Sequence, residues 1–169
     1  MTPEKKYREN VGICLFNKKG KILMGRRSDL SEDAIYAWQM PQGGVNENEN
    51  IQTAAQRELE EETGVGPDKA SLVAESSGWL SYDFPQGIVS VNPKTGKEYT
   101  GQKQKWFLMR FTGTDKDLRF DANPDEVEFC DFGWFSPREA PELVIDFKQD
   151  VYRQVLEEFI PLIEKELSS

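Results

Sequence analysis

The stretch GGVNENENIQTAAQRELEEETGV occupies residues 43–65. From Ile51 to Thr63 it is built of strong helix formers, with Ile51, Ala55 and Leu59 four apart as a narrow apolar stripe. Gly64 stands where a C-terminal cap belongs. Glu58, Glu61 and Glu62 fall at i, i+3 and i+4, so three carboxylates project from one side of the predicted helix, a turn apart. Like charges at that spacing cost roughly 0.2–0.5 kcal/mol per pair, and Arg57 is the only cation within a turn. A solvated acidic face is one reading of such a run. The other is a seat for a hard cation, since Mg²⁺ takes one or two protein carboxylates and fills its other positions with water and phosphate oxygens.

Upstream, VGICLF (11–16), the turn NKKG and KILMGRR read as two strands joined by a hairpin, which puts Arg26 and Arg27 at a strand end. SDLSEDAIYAWQMPQGG is loop with a short strand about Trp38. Downstream, SLVAESSGWLSYDF and KQKWFLMRFTG read as strands separated by a Gly- and Pro-containing loop over 85–101, and EFCDFGWFS extends the sheet. From about Phe147 to Leu167, Val151, Val155, Leu156, Phe159 and Ile163 share one face of a second helix, with Pro161 a candidate kink. Strands interleaved with two helices give an α/β expectation: a mixed β-sheet sandwiched between α-helices.

A chain of 169 residues with 37% hydrophobic content fits a single domain over 1–169, with a core about 7–160. No apolar run is long enough to span a bilayer, and MTPEKKYREN lacks a secretory apolar stretch, so a soluble cytoplasmic protein with no membrane and no DNA partner is expected. Cys14 and Cys130 show no metal or redox spacing and read as free, partly buried thiols. With no histidine in the chain, chemistry must run on carboxylates, Lys, Tyr or metal. A net charge of −9 repels polyphosphate, so local cations or a bound metal must reverse the sign at any such site.

Read from Gly43, the chain runs Gly, five residues, Glu49, seven residues, then Arg57-Glu58-Leu59-Glu60-Glu61-Glu62-Thr63-Gly64-Val65. This resembles the Nudix box at every specified position. The resemblance implies the Nudix fold and a loop–helix–loop that clamps a divalent metal, Mg²⁺ or in its place Mn²⁺, over a diphosphate. It implies Glu58, Glu61 and Glu62 as metal ligands, Glu61 and Glu62 as catalytic, and Glu49 and Arg57 as a structural pair, with Arg57 orienting Glu61. Gly43 and Gly64 are expected to supply tight turns at the two ends.

The similarity continues through YRENVGICL, GRR, WQMPQGG, GWLSYDFP, GQKQKWFL and FKQDVY, which resemble bacterial RNA pyrophosphohydrolases and the asymmetric dinucleoside tetraphosphate hydrolases. That resemblance implies removal of pyrophosphate from 5′-triphosphorylated RNA or, as the alternative, asymmetric cleavage of a dinucleoside polyphosphate. GWLSYDFP leans toward the second. A Nudix scaffold used only for binding is a third reading, which the intact box argues against.

By the same resemblance Arg8, Arg27 and Lys148 contact phosphate or nucleotide, each with an ordinary surface cation as its bland alternative. Phe147 stacks on a base or packs in the core. Tyr82 and Gln104 are candidates to hydrogen-bond a phosphate oxygen. Glu128 completes the metal site and is a candidate to activate water, with Glu126 as its competitor.

Overall fold

A computed structural model of the protein describes residues 6–168 except Glu32, Asn123 and Glu126. Strand β1 (Tyr7–Phe16) turns at Asn17–Lys21 into β2 (Ile22–Arg27), with Phe16 opposite Ile22. Two short strands follow, β3 (Trp38–Gln39) on β2 and β4 (Gln42–Gly44) on β1. Helix α1 (Ile51–Thr63) leads to β5 (Ala70–Glu75) and β6 (Leu80–Asp83). The loop expected over 85–101 holds a small hairpin of its own, β7 (Ser90–Val91) and β8 (Glu98–Tyr99). Then come β9 (Gly101–Phe111), β10 (Phe129–Phe135) and helix α2 (Gln149–Leu167).

The main sheet runs β10-β2-β1-β9-β5, with β3, β4 and β6 pairing off that path. Strands β1 and β9 are parallel from Tyr7↔Gly101 to Phe16↔Arg110, and the other pairings are antiparallel, so the sheet is mixed. Every residue from Asn10 to Phe16 is buried, as a central strand covered on both faces requires. Alternate residues divide between two cores. Val11, Ile13, Leu15, Phe107 and Met109 pack with Ala55 and Leu59 of α1. Cys14, Phe16, Trp106 and Leu108 pack with Val151, Val155 and Phe159 of α2. The predicted sandwich of helices around a mixed sheet is the fold observed.

Asn50 caps α1 by accepting hydrogen bonds from the Gln52 and Thr53 amides, and Gly64 closes it at φ 79°, left-handed backbone that glycine adopts without steric cost. Helix α2 starts two residues later than expected, because Asp146–Lys148 form a single 3₁₀ turn. Pro161 lies inside α2, which continues to Leu167. No helix among the described residues is long and apolar enough to cross a membrane. Cys14 is buried and Cys130 exposed, both free. The expectation of a partly buried thiol therefore fails at Cys130, which falls at the register irregularity between Phe129 and Asp131 of β10 and is exposed.

Candidate active site

Strand β4 brings the first half of the acidic stretch against the second. A Cβ on Gly43 would overlap the carboxyl group of Glu58, so the glycine permits strand and helix to approach. Its backbone is ordinary β4 with no positive φ, which corrects the expected tight turn. Arg57 then ties loop to helix. Its Nε and Nη2 donate to the two oxygens of Glu49 at 2.8 and 2.9 Å, and Nη2 also donates to the Gly44 carbonyl at 2.9 Å. Nη1 donates to Glu58 at 2.8 Å and to Glu61 at 3.2 Å. Arg57 holds the Glu49 carboxyl below the usual carboxylate range.

Glu58 and Glu62 lie close enough for each carboxyl to act on the ionisation of the other. Glu62 is only 7% exposed, and its Oε2 accepts from the Gln42 amide at 3.3 Å. Burial pushes both carboxyls up, and the charge of Glu128 adds to the effect at Glu62. Glu128 stands just before β10, its carbonyl accepting from the Ser28 amide at 3.0 Å, and the charges of Glu58 and Glu128 both act on Glu62. Glu61 is more exposed and turned toward Arg57. Glu126 lies outside the described residues.

Among the described residues no three acidic side chains stand in an arrangement ready to hold a metal ion. The chemistry of the donor set still fits a hard divalent cation. The oxygens of Glu58 and Glu62 are drawn from water and repel one another when ionised, and among the described residues Arg57 is the cation hydrogen-bonded to the pair, on the Glu58 side. A divalent charge between them would let both ionise.

Cations gather opposite. Arg8, on β1, lies across Gly44, where a Cβ would meet its guanidinium. Among the described residues it makes no ion pair. Arg27 ends β2 and is bound by both oxygens of Asp29. Lys148 is not a surface cation: it is 7% exposed, with Nζ donating to Gln39 at 3.3 Å and lying 5.9 and 6.0 Å from the ring centres of Tyr82 and Phe147. Burial, reinforced by the Arg27 charge, lowers its ammonium to about 8 against the opposing pull of Glu128 and Glu62. Lys148 thus stands within electrostatic reach of Arg27, Glu62 and Glu128.

Phe147 is partly buried, its ring 5.6 Å from that of Tyr82, so it packs on the core while keeping an open edge. The Tyr82 hydroxyl donates to Gln102, and burial pushes its pKa up, which keeps the phenol protonated. Gln104 departs from expectation. It is 1% exposed; its Nε2 donates to Asn10 at 2.9 Å and Gln42 at 3.3 Å, and its Oε1 accepts from the Trp106 indole at 3.1 Å. With its polar atoms bonded inside the protein, Gln104 braces the site floor and does not present a donor to phosphate.

Three residues not singled out from sequence belong to this framework. Gln42 links Gln104 to Glu62, Gln39 holds Lys148, and Asp29 occupies Arg27. Only the polar residues flanking Met40-Pro41, between two short strands, hinted at the first two.

The family model for the NUDIX domain matches residues 6–159. An RNA pyrophosphohydrolase of Novosphingobium aromaticivorans is 45% identical over 157 residues, covering 93% of this chain and 94% of its own. An RNA pyrophosphohydrolase of Roseobacter denitrificans is 45% identical over 164 residues, covering 94% and 98%. Among solved structures, an Ap4A hydrolase binary complex from C. elegans superimposes with a TM-score of 0.66 at 18% identity, covering 94% of this chain and 98% of that one, which speaks to the fold alone. Nudix hydrolases act on pyrophosphate bonds and generally need a divalent metal. Both the carboxylate helix held against Gly43 and the match along nearly the whole described chain lead to one assignment: the chain belongs to the Nudix family.

Proposed function

We propose that this protein is a Mg²⁺-dependent RNA pyrophosphohydrolase of the cytoplasm, its residues 1–169 acting as one unit on 5′-triphosphorylated RNA. The observation that carries the reading is the Glu58–Glu62 pair, drawn from water, with Glu62 in electrostatic reach of Lys148 and Lys148 in reach of Arg27: an acidic seat for a cation beside a basic seat for phosphate. The RNA end as substrate is supported by the names of relatives at 45% identity.

Glu58, Glu61 and Glu62 hold the metal, and Glu128 completes the set. Bound there, Mg²⁺ supplies charge neutralisation on the polyphosphate and makes water more acidic. Arg8, Arg27 and Lys148 hold phosphate oxygens, and Phe147 stacks on the first base. Water splits the anhydride between α and β phosphates, its oxygen ending on one phosphorus and its protons passing to solvent through Glu128. The products are a 5′-monophosphate end and pyrophosphate.

The test compares a short 5′-triphosphorylated RNA with diadenosine tetraphosphate at matched concentrations with Mg²⁺. A kcat/KM favouring RNA by more than about tenfold, or about 1.4 kcal/mol, is expected. Preference for the dinucleotide overturns the RNA assignment in favour of asymmetric dinucleoside polyphosphate hydrolysis. Glu61→Gln should abolish turnover with the fold intact, and near-normal activity would remove Glu61 from the site.

A further inference from the structure

The parallel pair β1–β9 has two ends. Arg8 and Gln102 mark the end at the candidate active site, and Phe16 and Arg110 the other, roughly 25 Å away at about 3.3 Å per strand residue. At that far end lies an open cavity of about 800 Å³ between the β1–β2 turn, the end of β9 and β10. Lys18, Lys19, Lys21 and Arg110 line it, with Asp115 as the lone acid among its lining residues. On a chain of net charge −9, this lining gives the cavity a local positive sign carried by the three lysines.

The lysines are not there to hold the turn. Asn17 does that, its Oδ1 accepting from the backbone amides of Lys19 and Lys21, both at 3.0 Å. Among the described residues none of the three lysine side chains makes an ion pair, while Arg110 is shared with Glu166 at 3.4 Å. The cavity also has an aromatic wall. Trp134 is partly exposed, stacked on Phe111 with ring centres 5.5 Å apart, and its indole N–H donates to Asp115 at 2.8 Å. Asp115 therefore fixes the ring, and one of its oxygens is already engaged.

A fixed indole beside uncommitted ammonium groups matches a planar base joined to phosphate. We infer that this cavity is a second nucleotide-binding site, remote from the Glu58–Glu62 pair, in which Trp134 stacks on a base and Lys18, Lys19 and Lys21 hold its phosphate. The ligand is either a free nucleotide or a downstream nucleotide of an RNA chain, and the two differ in how affinity depends on length. The site stands whether or not the protein hydrolyses RNA ends.

The experiment follows the indole N–H resonance of Trp134 in ¹⁵N-labelled protein, identified with Trp134→Phe, in EDTA so that nothing is turned over. ADP and 5′-monophosphorylated oligoribonucleotides from two to about twelve residues are titrated in. A saturable shift is expected, with Kd weakened about fivefold or more in Lys18→Gln/Lys19→Gln/Lys21→Gln and steeply by added salt. Lys94→Gln/Lys97→Gln, which removes two exposed cations from the β7–β8 hairpin, should leave Kd unchanged. Affinity rising with length identifies an RNA chain, and equal affinity for ADP identifies a free nucleotide. No shift with either ligand, or equal weakening by both lysine variants, overturns the site.

Discussion

Arg57 grips Glu49 through two parallel hydrogen bonds, Nε to Oε2 at 2.8 Å and Nη2 to Oε1 at 2.9 Å, while its Nη1 reaches Glu58 and Glu61. One side chain thus fixes both the loop before α1 and the carboxylates on it. Glu49→Gln keeps the shape and loses the charge, so stability should fall by about 1–3 kcal/mol at neutral pH. The sign of its pH dependence follows from the depressed Glu49 carboxyl. Its contribution is full above the unfolded value of about 4.3 and fades as pH falls through the lower folded value. Thermal melts should show a constant gap between variant and parent from neutral pH down to about 5.5, then convergence in stronger acid. A gap that widens in acid contradicts the pairing.

The buried Glu58–Glu62 pair is costly until a cation arrives. In EDTA, Glu62→Gln should be at least as stable as the parent, because it removes a buried acid while its amide oxygen still accepts from Gln42. With Mg²⁺ at a hundred times its Kd the parent should gain about 2.7 kcal/mol. The variant should lose most of that gain. If melting shows the full metal-induced rise in Glu62→Gln, Glu62 is no ligand.

Asp29 holds the Arg27 fork in the geometry a phosphate would take. A substrate oxygen must therefore compete with a carboxylate. Asp29→Asn should lower KM for a triphosphorylated end about threefold or more with kcat within about twofold. A rise in KM would mean that Asp29 positions Arg27 and does not compete for it.

How far these residues could be read from the sequence depended on their period. Helix α1 was legible from end to end because its apolar spacing, cap and charges all repeat within one local element. The cations Arg27 and Lys148 came from resemblance, and nothing local signalled that Lys148 is buried. Gln104 looked like a surface donor in GQKQKW, since strand alternation alone does not say which polar side chain a neighbouring strand will cover. Gln42 closes over it only because β4, three residues long, pairs with β1, and so short a strand carries no period. Gly43 looked like a turn for the same reason: its role depends on Glu58, fifteen positions on in the chain and adjacent in space.

Cys14 sits on the α2 face of the central strand, and burial pushes its thiol up to about 12. Cys130 is exposed beside Arg26, whose Nη1 lies 3.7 Å from its sulfur. An aromatic disulfide reagent at neutral pH should therefore modify one thiol quickly and the second only with global unfolding. Cys130→Ser should remove the fast phase. Two fast thiols in the native protein would show that the β1 core opens locally.

Phe147 is held between two roles by its position on the 3₁₀ turn before α2, one side of the ring toward Tyr82 and the core, the rest partly exposed. Stacking on a base is worth about 1–3 kcal/mol, whereas loss of packing at a half-buried edge acts on the fold and on every substrate alike. Phe147→Ala should therefore raise KM for a nucleotide substrate by about tenfold or more, while hydrolysis of inorganic tripolyphosphate, which has no base, slows far less. Melting in the absence of substrate separates the two contributions. If both substrates suffer equally and the melting temperature drops with them, the ring is a core residue and base recognition must lie elsewhere in the site.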